Sequence, residues 1–121
     1  FYEVPYGGTH IAGTSGGTKE DMRDALELMA AGRINPAAMI THVGGLTAAA
    51  EATLHLPDIA GGKKLIYTHC DFPLVAIDDL AELGCENPLY AELAEACARN
   101  NGLWNLEAEK IVLERFPKLS C

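Results

Sequence analysis

Basic residues are scarce in this sequence of 121 residues: nine Lys and Arg stand against 17 Asp and Glu, giving a formal net charge of −8. Because the few Lys and Arg are scattered, no segment offers the positive surface that attracts a nucleic-acid backbone or an anionic membrane. Long apolar runs are also missing, since none approaches the roughly 20 residues that span a bilayer. No basic and apolar signal sequence leads the chain. We therefore predict a soluble, cytoplasmic protein with neither a nucleic-acid nor a membrane partner.

The four cysteines form no C-x-x-C pair, which excludes a zinc ribbon and a thioredoxin-type redox motif. Apolar residues make up 49% of the chain, enough to bury a real core without a disulfide framework. We predict free thiols at all four positions, with Cys85 and Cys97 as small apolar fillers. The set is Cys70, Cys85, Cys97 and Cys121.

The four histidines include no H-E-x-x-H and no pair at helical spacing, which excludes a zinc protease site. Three possible metal ligands do follow one another, namely His69, Cys70 and Asp71. Consecutive strand residues point to opposite faces, so joint ligation by these three is awkward. We predict that they pack at the end of a strand.

One glycine-rich segment, G-T-S-G-G-T from Gly13 to Thr18, lies between a predicted strand and a predicted helix. It is neither G-x-G-x-x-G nor G-x-x-x-x-G-K-[ST], and around Ser15 it lacks the G-x-S-x-G of a hydrolase nucleophile. Free N–H groups at the start of a helix often hold an anion or a cofactor. The segment is either a tight turn that requires glycine or a close approach of backbone to a ligand, and the motif leaves both open.

Strands and helices alternate through the first half of the chain. The clearest helix begins after Thr18, whose hydroxyl pairs with Asp21 in a variant of the capping box, and ends where Gly32 supplies a C′ glycine. Its apolar residues fall at i, i+3, i+4 and i+7 and form one stripe: Met22, Ala25, Leu26 and Met29. Further elements are predicted as strands at 9–14, 39–43 and 64–68, a turn at Gly44-Gly45, and an alanine-rich helix capped by Thr47 and stopped near Pro57.

Three amphipathic helices are predicted after Asp71. The first ends at Gly84, the second is closed by Asn100-Asn101-Gly102, and the third is capped by Asn105. Their inward faces are predicted to carry, in turn, Ile77, Leu80 and Ala81; Leu89, Leu93, Ala96 and Cys97; and Val112, Leu113 and Phe116.

The order and spacing of these motifs resemble a known family. HIAGTSGGTKEDMRDALELMAAGRINPAAMITHVGGL, the helix through Glu51-Ala52 and GGKKLIYT together resemble the carboxyl-terminal portion of zinc-dependent medium-chain alcohol and polyol dehydrogenases. The resemblance covers residues 7–70. The tail, with IYTHCDFPLVAIDDLAELG, is most similar to the branch that contains sorbitol dehydrogenase-like and L-sorbose-1-phosphate reductase-like enzymes.

This resemblance implies an α/β fold in three parts. Residues 1–33 would be the end of a Rossmann NAD(P)-binding domain (its last strand and helix), residues 34–70 a segment returning to the catalytic domain, and residues 71–121 an α-helical C-terminal tail. It implies an oxidoreductase that uses NAD or NADP and zinc and acts on a polyol, sugar or sugar phosphate.

The resemblance also implies roles for particular residues. Backbone at Gly13, Thr14 and Ser15 would lie beside the nicotinamide, and Lys64 would approach the cofactor pyrophosphate as a point charge. The simpler alternative is that Gly13 permits a turn and Lys64 is a surface lysine. The strand from Thr9 to Thr14 would pair with its twin in a homodimer, because an exposed apolar edge seeks a partner.

The catalytic zinc ligands, the proton relay and the G-x-G-x-x-G loop precede this region in the family, and none is found in the sequence. The chain also opens at Phe1 without an initiator Met. We therefore expect a fragment that is inactive alone. Two other hypotheses stay open: a non-catalytic oligomerisation or interaction module, and a small domain that binds a phosphorylated ligand at the segment from Gly13 to Thr18.

Overall fold

The structure is a computed structural model that describes residue 13 and residues 15–119. The chain divides into two compact units, residues 1–34 and residues 35–121. The strand predicted from Thr9 to Thr14 lies outside the described residues except for Gly13. Within the part described, no helix has the length and apolar character that a membrane span requires.

The described residues of the first unit contain helix α1, Lys19–Ala30. It begins after Thr18, as predicted. The Thr18 hydroxyl accepts a hydrogen bond from the Asp21 backbone N–H (3.2 Å), and the Asp21 carboxylate accepts one from the Thr18 backbone N–H (2.7 Å). The two bonds form a complete capping box, which satisfies two donors that the first turn would leave free.

The end of α1 is equally well defined by local residues. Gly32 has φ +67°, a conformation that glycine adopts without steric cost. Its N–H donates to the carbonyl of Met29 (3.0 Å), and the N–H of Arg33 donates to that of Leu28 (2.9 Å). These two bonds make a Schellman motif and confirm Gly32 as the C′ glycine.

Burial of the predicted α1 stripe is not observed. No residue of α1 is buried, and Met22 and Leu26 are 64% and 63% exposed. The described structure therefore specifies this helix by its termini and its sequence pattern.

A three-stranded sheet organises the second unit. Strand β1, Ile40–Gly45, lies between β2, Lys63–Tyr67, and β3, Val75–Ala76. Strand β2 runs parallel to β1 and β3 runs antiparallel to it. The mixed α/β class is thus confirmed, whereas the assignment of the first unit to the end of a Rossmann domain remains a prediction.

The turn predicted at Gly44-Gly45 is wrong, because both glycines lie inside β1. A Cβ on Gly45 would lie 2.4 Å from the Cys70 carbonyl oxygen and 2.7 Å from the Phe72 nitrogen. The glycine is needed for close approach of two backbone segments, and a short-range pattern cannot distinguish that need from a turn.

The connection from β1 to β2 also differs from the prediction. It contains a 3-10 turn, Leu46–Ala48, helix α2, Ala49–Leu54, and a second 3-10 turn, Leu56–Asp58. Thr47 does not cap the helix, since its hydroxyl donates to the carboxylate of Asp71 (2.6 Å). The bond ties this connection to the segment after β2.

The three predicted tail helices are present. They are α3, Leu80–Leu83, α4, Pro88–Ala98, and α5, Leu106–Arg115, and a 3-10 turn, Ile77–Asp79, precedes α3. The Asn105 side-chain oxygen accepts from the N–H groups of Glu107 and Ala108, which confirms Asn105 as the cap of α5.

The core of the second unit lies between the sheet and these helices. At its centre the Phe116 ring meets Phe72 and Tyr90 edge to face, with centroids 4.8 and 5.6 Å apart. Three expectations fail here: Ala81 is exposed, Cys85 is exposed rather than a filler because it follows α3 in the turn toward α4, and Leu113 is 49% exposed. The buried members are Val43, Cys70, Phe72, Val75, Leu80, Tyr90, Leu93, Ala96, Cys97, Trp104, Ala108, Val112 and Phe116.

A short antiparallel bridge between Cys70 and Lys118 closes this unit. The Asp71 N–H donates to the carbonyl of Pro117 (2.9 Å), and the Leu119 N–H donates to that of His69 (3.1 Å). The segment from His69 to Asp71 is thus engaged in backbone pairing, in keeping with the predicted packing role. Cys70, Cys85 and Cys97 are free thiols, as predicted for these three.

Candidate functional site

The loop before α1 contains the residues expected beside a nicotinamide. Gly13 and Ser15 are exposed, and among the described residues, chain neighbours apart, no atom lies within 4 Å of the position that a Cβ on Gly13 would take. Thr14 lies outside the described residues. The backbone at Gly13 and Ser15 is therefore accessible within this unit, although its proximity to a cofactor stays a prediction.

A carboxylate already occupies the positive end of α1. The hydrogen bonds from the backbone and side chain of Thr18 hold the pKa of Asp21 below its usual range. Asp21 therefore stays ionised at neutral pH and compensates the helix dipole there. Glu20 adds a second negative charge to the same turn. This arrangement disfavours phosphate at the helix start, the position on which the phosphate-binding hypothesis depends.

Lys64, expected to approach the pyrophosphate, begins strand β2 together with Lys63. Its ammonium lies over the preceding loop and donates to four backbone carbonyls, at distances between 2.9 and 3.4 Å. An ammonium has only three donors, so these acceptors share them. Lys64 therefore holds the loop in place as well as carrying a charge. The four carbonyls belong to Ile59, Ala60, Gly61 and Gly62.

The same loop packs tightly against β1. A Cβ on Gly62 would lie 2.3 Å from the Met39 carbonyl oxygen, and one on Gly61, which has φ +93°, would lie 2.8 Å from the Thr41 hydroxyl. Side chains are excluded at both positions. The location of the Lys64 ammonium is consequently fixed by backbone packing.

His42 lies on β1 beside this lysine. In the sheet register it pairs with Lys64 on β2 and with Ala76 on β3. Burial lowers the pKa of His42, and the positive charge of Lys64 lowers it further, whereas Asp78 and Asp79 oppose the shift. The imidazole is therefore neutral at pH 7, and its Nδ1 lies 2.9 Å from the Thr41 hydroxyl oxygen. No sequence motif had indicated His42.

A second cluster that the sequence did not indicate joins β2 to the tail. The Trp104 indole N–H donates to the Tyr67 hydroxyl oxygen, and that hydroxyl donates to a carboxylate oxygen of Glu109, both at 2.9 Å. Burial raises the pKa of Tyr67 far above its usual value, so the phenol remains a donor. Tyr67 lies 37 positions before Trp104 and 42 positions before Glu109 in the sequence. Local sequence patterns do not reveal contacts over such separations.

Zinc was expected in the parent enzyme. Within residue 13 and residues 15–119, no group of three His, Cys, Asp or Glu side chains could hold a metal ion. The described residues thus supply no zinc site. The predicted cofactor residues belong to separate units, Gly13 and Ser15 to the first and Lys64 to the second.

No family model and no solved structure matches the chain. Curated relatives do match it closely: mannitol-1-phosphate 5-dehydrogenase of Aliivibrio fischeri (strain ATCC 700601 / ES114) is 56% identical over 116 residues, or 96% of the chain. L-sorbose 1-phosphate reductase of Klebsiella pneumoniae is 46% identical over 113 residues, or 93% of the chain. The resemblance to the L-sorbose-1-phosphate reductase-like branch is confirmed. A third relative, the uncharacterized protein YggP of Escherichia coli (strain K12), is 51% identical over 116 residues, again 96% of the chain.

The chain spans only about a quarter of these relatives. The aligned part is 27% of the dehydrogenase, 26% of the reductase and 27% of YggP. The similarity thus concerns one segment of each of these longer proteins.

Proposed function

We propose that this chain is a segment of an NAD(P)-dependent and zinc-dependent oxidoreductase that acts on a polyol, sugar or sugar phosphate. The observation that carries the proposal is the 46 to 56% identity, over nearly the whole chain, to two proteins named for such reactions. Identity at this level over a continuous segment supports a shared role for the segment. Phosphorylated substrates are favoured, since both names specify a 1-phosphate.

Within such an enzyme the chain would contribute contacts to the cofactor. Backbone at Gly13, Thr14 and Ser15 would adjoin the nicotinamide, and Lys64 would provide positive charge near the pyrophosphate. The bound nicotinamide would carry the hydride. The exposure of Gly13 is compatible with the first role. The Lys64 ammonium, whose donors are shared among four backbone carbonyls, would act on the pyrophosphate through its charge. Zinc ligands would have to come from residues other than those described.

The proposal is tested on the product of the complete gene. We expect reduction of NAD or NADP with mannitol 1-phosphate, or oxidation of NADH or NADPH with L-sorbose 1-phosphate, followed by absorbance. The unphosphorylated polyol and the 121-residue chain alone serve as controls and should be much less active or inactive. A complete protein that neither binds zinc nor turns over any of these compounds would favour the interaction-module hypothesis.

The predicted role of Lys64 can be separated from a general effect of charge. In the complete enzyme, Lys64→Met should raise the KM for the coenzyme about tenfold, equivalent to about 1.4 kcal/mol. Lys63→Met is the matched control, because Lys63 is the exposed neighbour in the same strand and should leave KM nearly unchanged. Equal effects of the two substitutions would contradict a specific role for Lys64.

We also propose that the complete protein dimerises through the strand from Thr9 to Thr14. Ile11→Lys would place a charge in that apolar segment and should shift the protein from dimer toward monomer. Light scattering after gel filtration measures the change. Leu26→Lys on the exposed face of α1 is the control, and an equal shift in both variants would reject the strand as the specific interface.

A further inference from the structure

A pocket of about 520 Å³, open to solvent on one side, lies between the start of β1, strand β2 and the start of α5. Its volume is within the range of about 300–1,000 Å³ that small-molecule sites have. Apolar side chains form most of its wall, including Pro36, Ile40 and Leu65. We call it the Trp104 cavity, and its full lining is Asn35, Pro36, Ala37, Ile40, Leu65, Asn100, Trp104, Asn105, Leu106 and Glu109.

The side-chain oxygens of two lining asparagines are already engaged. The Asn35 side-chain oxygen accepts from the Ala37 N–H (3.1 Å) and caps the 3-10 turn Pro36–Met39. Asn105 caps α5 with its oxygen, and its NH₂ group donates to the carbonyls of Ala96 and Leu103. The two oxygens and the Asn105 NH₂ group therefore stabilise the wall of the cavity.

Glu109 differs from them. One carboxylate oxygen accepts from Tyr67, and no Lys, Arg or His in the described part of the chain lies within ion-pair distance of either oxygen. On the same helix, Glu107 pairs with Arg99 and Glu114 pairs with Lys110. Glu109 is therefore a half-buried negative charge, anchored by a neutral donor and left without a counter-ion at the wall of an apolar cavity.

An unpaired carboxylate at an apolar wall favours a cationic ligand over a neutral or anionic one. Apolar walls lower the local dielectric and strengthen the attraction between opposite charges, while an anion is repelled. A neutral alcohol could donate to Glu109 but would not compensate its charge. The apolar wall, in turn, favours a ligand with a hydrocarbon body.

We propose that the Trp104 cavity binds a small alkylammonium ion, with its ammonium on the Glu109 carboxylate and its hydrocarbon body against Pro36, Ile40 and Leu65. The lining residues do not include any of the cofactor contacts proposed above. Tyr67 holds the carboxylate in position, and Trp104 fixes Tyr67 in turn.

Trp104 is the one tryptophan of the chain, so its fluorescence reports directly on the cavity. The 121-residue chain is titrated with hexylammonium, hexan-1-ol and hexanoate, which share a hydrocarbon body and differ in charge. We expect a saturable change with hexylammonium, at least about tenfold weaker binding of hexan-1-ol, and no saturable change with hexanoate. Absence of saturation with hexylammonium, or equal binding of the cation and the anion, would overturn the proposal.

Glu109→Gln keeps an oxygen that can accept from Tyr67 but removes the charge. It should weaken hexylammonium binding about tenfold, to the level of hexan-1-ol. Glu114→Gln on the exposed part of the same helix is the matched control and should bind as the unsubstituted chain does. Undiminished binding by Glu109→Gln would reject Glu109 as the recognition group. If Glu109→Gln does not fold, the selectivity of the unsubstituted chain among the three probes still tests whether the cavity prefers a cation.

Discussion

Helices α1 and α4 have nearly equal lengths, 12 and 11 residues, but they are specified differently. Helix α1 has a complete capping box and a Schellman motif, yet it buries no residue. Helix α4 begins with Asn87 as its cap and Pro88 at its first position, and it buries Tyr90, Leu93, Ala96 and Cys97. The comparison shows that local signals fix where a helix begins and ends, whereas burial decides how much it contributes to stability.

The largest expected effect comes from removing core volume. Leu93 is fully buried, so Leu93→Ala should lower the free energy of unfolding by about 3 kcal/mol, through lost burial and the cavity left behind. Leu26→Ala removes the same atoms from the exposed face of α1 and should change it by less than about 0.5 kcal/mol. Urea denaturation followed by circular dichroism measures both. Equal losses would mean that α1 is covered in solution.

A side chain added where two backbone segments lie close together should give the next largest loss of stability. Gly45→Ala forces a Cβ against the Cys70 carbonyl and should cost about 1–3 kcal/mol. Gly17→Ala, before α1, meets only ordinary contacts with Asp21 at 3.6 Å and should be nearly neutral. The midpoints of thermal unfolding report the difference. A neutral Gly45→Ala would show that β1 and the segment after β2 can separate without loss.

Removal of a helix cap should give a smaller effect. In the second unit it should change the free energy of unfolding, and in the first unit it should change local amide exchange. Asn105→Ala should lower the free energy of unfolding of the second unit by about 1 kcal/mol, because two N–H groups of α5 lose their acceptor. Thr18→Ala should instead increase amide hydrogen exchange within α1 and leave the second unit unaffected. Hydrogen exchange with mass spectrometry resolves the two regions, and a chain-wide response to Thr18→Ala would contradict a local role for this cap.

The smallest expected effect is the pH dependence of α1. The pKa of Asp21 is lowered in the folded helix by the Thr18 backbone and side-chain hydrogen bonds, so the carboxylate favours the folded form. That contribution is complete above the ordinary aspartate pKa and is lost as the pH falls through the lowered value. The protection of amides at the start of α1, measured relative to their intrinsic exchange rates at each pH, should therefore decrease in acid. Asp21→Asn should show no such transition, and persistence of the transition in that variant would assign it to another carboxylate.

The features predicted correctly from sequence depend on near neighbours. Thr18 with Asp21, Gly32 after α1 and Asn105 before α5 each act within four residues of their partners. The mixed α/β class and the three tail helices follow from such signals together with hydrophobic periodicity.

The features that sequence reasoning missed depend on distant partners. Gly45 looked like part of a turn because its reason for being glycine, the Cys70 carbonyl, lies 25 positions away. Thr47 looked like a helix cap although its hydroxyl bonds to Asp71, 24 positions away. No motif indicated Glu109, because its hydrogen-bond partner Tyr67 lies 42 positions away. Only the fold brings these groups together.

The bridge between Cys70 and Lys118 has a consequence for synthesis of the protein on the ribosome. Phe116 fills the centre of the core, and the residues that follow it pair with the segment after β2. Strands β1 and β2 can therefore be complete while the ring that closes their core is still in the exit tunnel. During that interval Phe72 and Tyr90 lack their aromatic partner, and apolar surface stays open to aggregation or to chaperones. The second unit can finish folding only after residues 116–119 have emerged, whereas the local caps of α1 are available much earlier.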